Sequence, residues 1–164
     1  MNYADARQKI KSGDVLLWRC TGLVPWLIRK ITKSQWAHVG IAIWWGDRLM
    51  VVDSYPVKGT RARPLGRCID TATWLPMPPL EGRWTAEASS FALEELGRGY
   101  SYQNLFKTWM GLNLARSGYH CAQYAGGILE RCGLKLSWPP TPESIYAELR
   151  GFLNAEALTG GGDA

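Results

Sequence analysis

The apolar positions change their period about halfway along the chain. Before about residue 75 they fall mostly in short strand-like runs; after Thr85 they recur at helical spacing. Residues 1–13 read as a polar helix with Ala4, Ala6 and Ile10 on one side. The turn Lys11-Ser12-Gly13-Asp14 then leads into Val15-Leu16-Leu17-Trp18, a short buried strand. From Pro25 to about Lys33 a further helix sets Trp26, Leu27 and Ile31 against Arg29, Lys30 and Lys33. Such a helix packs on the domain with its lysines in water, or lays a basic, aromatic face on a membrane. Ala37 to Trp45 and Arg48 to Tyr55 are rich in β-branched and aromatic residues and flank Gly46-Asp47, so they predict a hairpin. Pro56 and Gly59 end it. A strand over 60–69, interrupted by Pro64 and Gly66, follows, and Pro76, Pro78 and Pro79 mark the loop where the architecture changes.

The second half predicts helices. One runs from Thr85 to Leu96 with Ala88, Ala92 and Leu96 on one side, stopping at Gly97. Another runs from Tyr102 to Leu114 around Leu105, Phe106, Trp109 and Met110. The most regular spans Tyr119 to Cys132, where Cys121, Ala125, Ile128, Leu129 and Cys132 form one continuous face. Ser117-Gly118 can cap its start, and Gly133 suits the position just past its end. Thr141-Pro142 is a cap-plus-first-residue signature for a last helix to about Leu149. Strands and helices together predict an α+β domain over 1–155, followed by a glycine-rich tail, 156–164, that reads as disordered. There is no internal repeat.

Composition narrows the class. With 164 residues, 46% hydrophobic and 20% charged, the chain suits a single globular core. Nine Trp and seven Tyr are unusual for this size; many must line the core, and the composition is compatible with a ligand-gripping cleft without proving one. The net charge of +5 is spread over Arg29-Lys30, Lys33, Arg61, Arg63 and Arg67 without a dense block, and no nucleic-acid motif accompanies it. The four cysteines, at 20, 68, 121 and 132, form no CxxC pair, and the two histidines stand at irregular spacing. That pattern predicts neither a zinc site nor any other metal or cofactor. Residues 1–13 show no signal-peptide pattern, and no apolar run reaches spanning length, so a reducing cytoplasm with free thiols is the default location.

Cys121 is the residue with a chemical reading. It occupies the first turn of a helix, where unpaired amide N–H groups and the positive end of the dipole favour a thiolate and can hold an oxyanion. A lone cysteine on an apolar face is ordinarily a small core residue, which is the reading for Cys132, Cys20 and Cys68. His120, adjacent in sequence, would point about 100° away on a helix, so His38 is the candidate base. With a two-residue turn at Gly46-Asp47, Trp45 pairs with Arg48, Gly40 with Asp53 and His38 with Tyr55. Asp53 is then diagonal to His38 on the same face, at roughly 7–8 Å between Cα atoms, within reach of an orienting hydrogen bond. Asp53 also reads as a strand-end turn residue beside Pro56, and Asp70 is the substitute orienter.

In this order, Gly13-Asp14-Val15, His38-Val39-Gly40-Ile41, Val51-Val52-Asp53-Ser54-Tyr55-Pro56, Gly97-x-x-Tyr100, Tyr119-His120-Cys121-Ala122-Gln123 and Thr141-Pro142 resemble a known family. It is the circularly permuted branch of the NlpC-type, papain-like cysteine hydrolases, the YiiX-like group, and the resemblance covers roughly 12–149. It implies a permuted papain-like core, in which a small antiparallel sheet packs against the cysteine-bearing helix. It also implies Cys121 as nucleophile, His38 as base and Asp53 as orienter, with Tyr100 helping to polarise the carbonyl. Two positions depart from the family's habit: Ser101 stands where Asp is frequent, and Ala122 where Ser is common.

The activity so implied is that of a cysteine peptidase or amidase acting on cell-wall-type peptide amides, with peptidoglycan as the expected partner. A lipid-directed acyltransferase or thioesterase, touching a membrane through the Trp26–Lys33 helix, is the alternative. A non-catalytic wall- or glycan-binding module of the same fold is another. A wall substrate without a signal peptide would need another route, such as release on lysis or a phage particle.

Overall fold

The computed structural model describes residues 2–78, 84–110, 112 and 118–159. Pro79 of the predicted loop, Leu114 of the predicted 102–114 helix, Ser117 of the predicted cap and residues 160–164 of the predicted tail lie outside them.

The elements in chain order are α1 (Tyr3–Lys9), β1 (Val15–Trp18), α2 (Leu23–Thr32), β2 (His38–Trp45), β3 (Arg48–Tyr55), β4 (Gly59–Pro64), β5 (Thr73–Leu75), α3 (Ala86–Glu94), α4 (Tyr102–Trp109), α5 (Cys121–Arg131) and α6 (Pro142–Thr159). The strands form one five-stranded sheet in the order β4-β3-β2-β1-β5, antiparallel at every junction. The chain is therefore a mixed α/β fold. The hairpin turns at Gly46-Asp47 in the predicted register, with Trp45 opposite Arg48 and Gly40 opposite Asp53. That ladder ends at Gly40; on its other side His38 pairs with Trp18 of β1.

Period-two alternation gives the sheet two apolar faces. Val15, Leu17, Val39, Ile41, Ile43 and Val52 pack against α3, α5 and α6. Leu16, Trp18, Ala42, Leu49 and Val51 pack with Ala6 and Ile10 of the N-terminal segment and with Leu65 and Ile69 of two 3₁₀ turns. α5 is central: residues Cys121 through Leu129 are all buried, not only the predicted stripe. Tyr124, wholly buried there, satisfies its hydroxyl by donating to the carbonyl of Ala92 in α3.

Several boundaries differ from the sequence reading. Ala4 is exposed, leaving Ala6 and Ile10 to hold α1 down. The run over 60–69 is a strand only to Pro64, then two 3₁₀ turns at Leu65–Arg67 and Ile69–Thr71. β5 was not anticipated. α6 continues to Thr159, so 156–159 of the predicted tail are helical. α5 is capped by His120, whose side chain accepts from the Gln123 N–H, rather than by Gly118. At its far end Gly133 takes φ +87, as expected of the residue past a helix.

Candidate active site

Cys121 is the first residue of α5, because His120, in extended geometry at φ −86 and ψ 168, is the cap. Its sulfur is buried, and the imidazoles of His120 and His38 are the groups beside it that lower its pKa. Helix and strand meet there because His38 opens β2, paired with Trp18 at the end of β1, and lies near enough to act on the Cys121 sulfur.

His38 Nε2 lies 3.0 Å from Asp53 Oδ2. With that nitrogen committed to the carboxylate, Nδ1 is the one left for the sulfur. Gly40 makes the diagonal contact possible. A Cβ there would stand 2.8 Å from Val51 Cγ2 and 3.2 Å from Asp53 Cβ, so a larger residue would push the carboxylate aside. The predicted Cys121, His38 and Asp53 are thus brought together. Asp70 is not: it lies exposed in a 3₁₀ turn away from the imidazole.

Asp53 is wholly buried and carries more partners than the sequence suggested. Arg61, opposite it in β4, donates from Nε to Oδ1 at 2.8 Å. Arg63 lies two residues on, and so on the same face. It donates to Oδ2 from Nε at 3.0 Å and from a terminal nitrogen at 2.9 Å. The two guanidiniums also cover the rings that hold His38. Arg61 sits 4.3 Å from the Tyr55 centroid and Arg63 5.4 Å from that of Trp18. Tyr55 meets His38 edge-on at 5.4 Å and Trp18 tilts against it at 5.5 Å. Carboxylate, imidazole, two aromatics and two arginines therefore form one closed box.

These contacts set the charges. Burial opposes the ionised form of Asp53, but the His38 hydrogen bond and the two arginines outweigh it and hold the carboxyl well below its usual range. Burial likewise opposes the imidazolium, yet hydrogen bonds to Asp53 and Cys121 push His38 up to about 9. Cys121, despite burial, is drawn down to about 6 by its hydrogen bonds to His120 and His38. Both shifts favour the thiolate–imidazolium form of the pair.

A cleft of about 330 Å³ opens beside His38, walled mainly by hydrocarbon and aromatic surface from Pro25, Ile28, Tyr55, Val57 and Tyr102. Tyr100 lines it too, held beside the start of α5 by a bridge to Tyr119. Burial first and the negative charge of Cys121 second raise its pKa, so the phenol keeps its proton and is a donor. Cys20, which the sequence gave no role, also faces this cleft.

The sequence reading missed Arg61, Arg63 and His120. The alternation Arg61-x-Arg63 opposite an acidic residue was the available signal for the first two. His120 was set aside on the assumption of helical geometry, which a cap residue does not have.

No family model and no curated protein matches the chain. Among solved structures it is similar to the metalloprotein YiiX of Escherichia coli O157:H7, DUF1105, with a TM-score of 0.61 and 15% identity over 77% of this chain and 68% of that one. At that identity the likeness is one of fold, and it accords with the YiiX-like group that the motif order resembles.

Proposed function

We propose that the chain is a permuted papain-like cysteine hydrolase or acyl transferase, with Cys121 as nucleophile, His38 as acid and base, and Asp53 as the residue that orients His38. The observation that carries this reading is a cysteine at the first position of a helix whose pKa is lowered by an imidazole, that imidazole resting through Nε2 on a buried carboxylate. The solved neighbour is named a metalloprotein, but the donors here do not suit a metal ion. Among the described residues no group of three His, Cys, Asp or Glu surrounds one point, and both oxygens of Asp53 are taken by His38, Arg61 and Arg63.

The thiolate attacks a carbonyl carbon, and a bond forms from Sγ as the carbonyl electrons move to oxygen. The Cys121 N–H, with the Tyr100 hydroxyl as a second donor, would hold that oxyanion in this reading. As it collapses, His38 gives its Nδ1 proton to the departing amine or alcohol, leaving a thioester. Water, deprotonated by the now neutral His38, attacks the thioester, and the thiolate leaves a carboxylic acid behind; an acceptor amine or alcohol would give transfer instead.

A cell-wall peptide amide is the substrate that the resemblance implies. The cleft supports the other class, an acyl group with a long apolar body. Its wall offers few polar atoms to pair with peptide N–H and C=O groups, which would be desolvated at a cost.

A thiol-directed acyl probe with mass mapping tests the reading. Cys121 should label at neutral pH far faster than Cys20, Cys68 and Cys132, and His38→Ala should lower that rate by roughly 10²–10⁴-fold. Equal sluggishness of all four thiols would leave a binding module of the same fold.

A further inference from the structure

α2 separates two different surfaces. Pro25 and Ile28 face the apolar cleft beside His38. Trp26, Arg29 and Lys30 face a second groove of about 380 Å³, completed by Arg19, Ser34 and Gln35. Among the described residues, none of the three cations in that groove meets a carboxylate. Arg19 donates only to Gln35 at 3.4 Å and covers Trp36, and Lys30 lies 5.9 Å over the Trp26 ring. The nearby carboxylate, Glu143, is engaged with the Ser34 hydroxyl and the Gln35 N–H.

The rim of the apolar cleft is unusual for a surface in water. Tyr102 at the start of α4 is 54% exposed and Val57 on the β3–β4 turn is 91% exposed, and both line the cleft. Val57 also takes φ +70. A β-branched residue is strained in that left-handed region, where Asn, Asp or Gly would be comfortable. Neither packing nor turn chemistry accounts for a valine there. Exposed Lys58 follows it directly.

We infer that this rim is a docking face for an anionic lipid surface, with Val57 and Tyr102 entering the acyl region while Arg19, Arg29, Lys30 and Lys58 meet the headgroups. The inference rests on the reading of the cleft as the acyl site, and it names where the acyl group comes from. An apolar rim with cations alongside has the chemistry of an interfacial membrane binder. Docked in this way, the cleft mouth would open onto the lipid, and an acyl chain could reach His38 and Cys121 without crossing water.

Sedimentation with phosphatidylglycerol–phosphatidylcholine vesicles, using the full chain, tests this. Wild type and Cys121→Ser should both pellet with these vesicles, far less with phosphatidylcholine alone, and salt should release them. Val57→Asn removes the apolar tip without adding charge and suits the left-handed backbone. It should weaken binding roughly tenfold while the melting temperature holds or rises. Arg29→Glu with Lys30→Glu should weaken binding at least as much. Wild type left in the supernatant, or Val57→Asn bound as tightly as wild type, overturns the inference. So does a concentration-dependent dimer that Val57→Asn dissolves, because a second copy would then cover the rim. Vesicle binding that survives while Cys121 proves unreactive sinks the catalytic reading alone; the reverse result sinks docking alone.

Discussion

His38 is under two opposed influences, since burial favours a neutral ring while a carboxylate and a sulfur favour a charged one. The sum lies with the charged form, up to about 9, and the same contact leaves Cys121 ionised above about 6. In the proposed mechanism, below the lower value the sulfur regains its proton and cannot attack, and above the upper one the imidazole has no proton to give the leaving group. Turnover against pH should therefore be a bell with its plateau between about 6 and about 9, and an Asp53→Asn variant should lose the alkaline side of that plateau. A flat profile through pH 9 in Asp53→Asn would show that the carboxylate does not hold the imidazolium. At this scale the sequence was legible where geometry is periodic. The His38–Asp53 diagonal followed from a two-residue turn and a constant pairing sum. Arg61 and Arg63 were read as scattered surface charge, because no sequence pattern says that a third strand will lie against β3.

α5 shows how much of a helix's character comes from its surroundings. Its apolar stripe and the glycine past its end were visible in the sequence, but its burial on every side was not, because Gln123, Gly126 and Gly127 look permissive. Gly126 and Gly127 are close-approach points instead: added Cβ atoms would stand 3.0 Å from Pro140 and from Phe91. The cap is the sensitive position. His120 accepts from Gln123 N–H at 3.4 Å, exchanges a 2.8 Å hydrogen bond with Thr108 and contributes to the lowered pKa of Cys121. His120→Ala should cost about 1–2 kcal/mol in urea unfolding and move the alkylation midpoint of Cys121 upward. An unchanged midpoint would mean that His38 alone keeps the sulfur ionised. β5 escaped the sequence reading because three residues, Thr73–Leu75, are too few to show a period. Asp14 fixes it from outside, accepting from Trp74 Nε1 at 2.9 Å and from Met77 N–H at 3.0 Å.

The whole molecule is tied together where the sheet meets the α3–α4 connection. Thr60 donates its N–H to Arg98 O at 2.8 Å and accepts from Gly97 N–H at 2.9 Å, so β4 is fastened to the segment leading to Tyr100. Gly59 permits that approach: a Cβ would stand 2.0 Å from Arg98 O, at a φ of +66. Gly59→Ala should destabilise the fold by about 2–4 kcal/mol, read as a lower urea midpoint. Order along the chain made the fold class readable, whereas this junction was not, since glycine at 59 looked only like the end of a hairpin.

The box around His38 has a further result. With the imidazolium and thiolate that the pKa shifts favour, two guanidiniums and an imidazolium face one carboxylate and one thiolate, so the pit holding Cys121 has surplus positive charge. An anionic reagent should be drawn in. Relative to a simple free thiol in the same buffer, Cys121 should favour iodoacetate over iodoacetamide. That bias should shrink as added salt shortens the screening length below its value of about 8 Å at physiological strength.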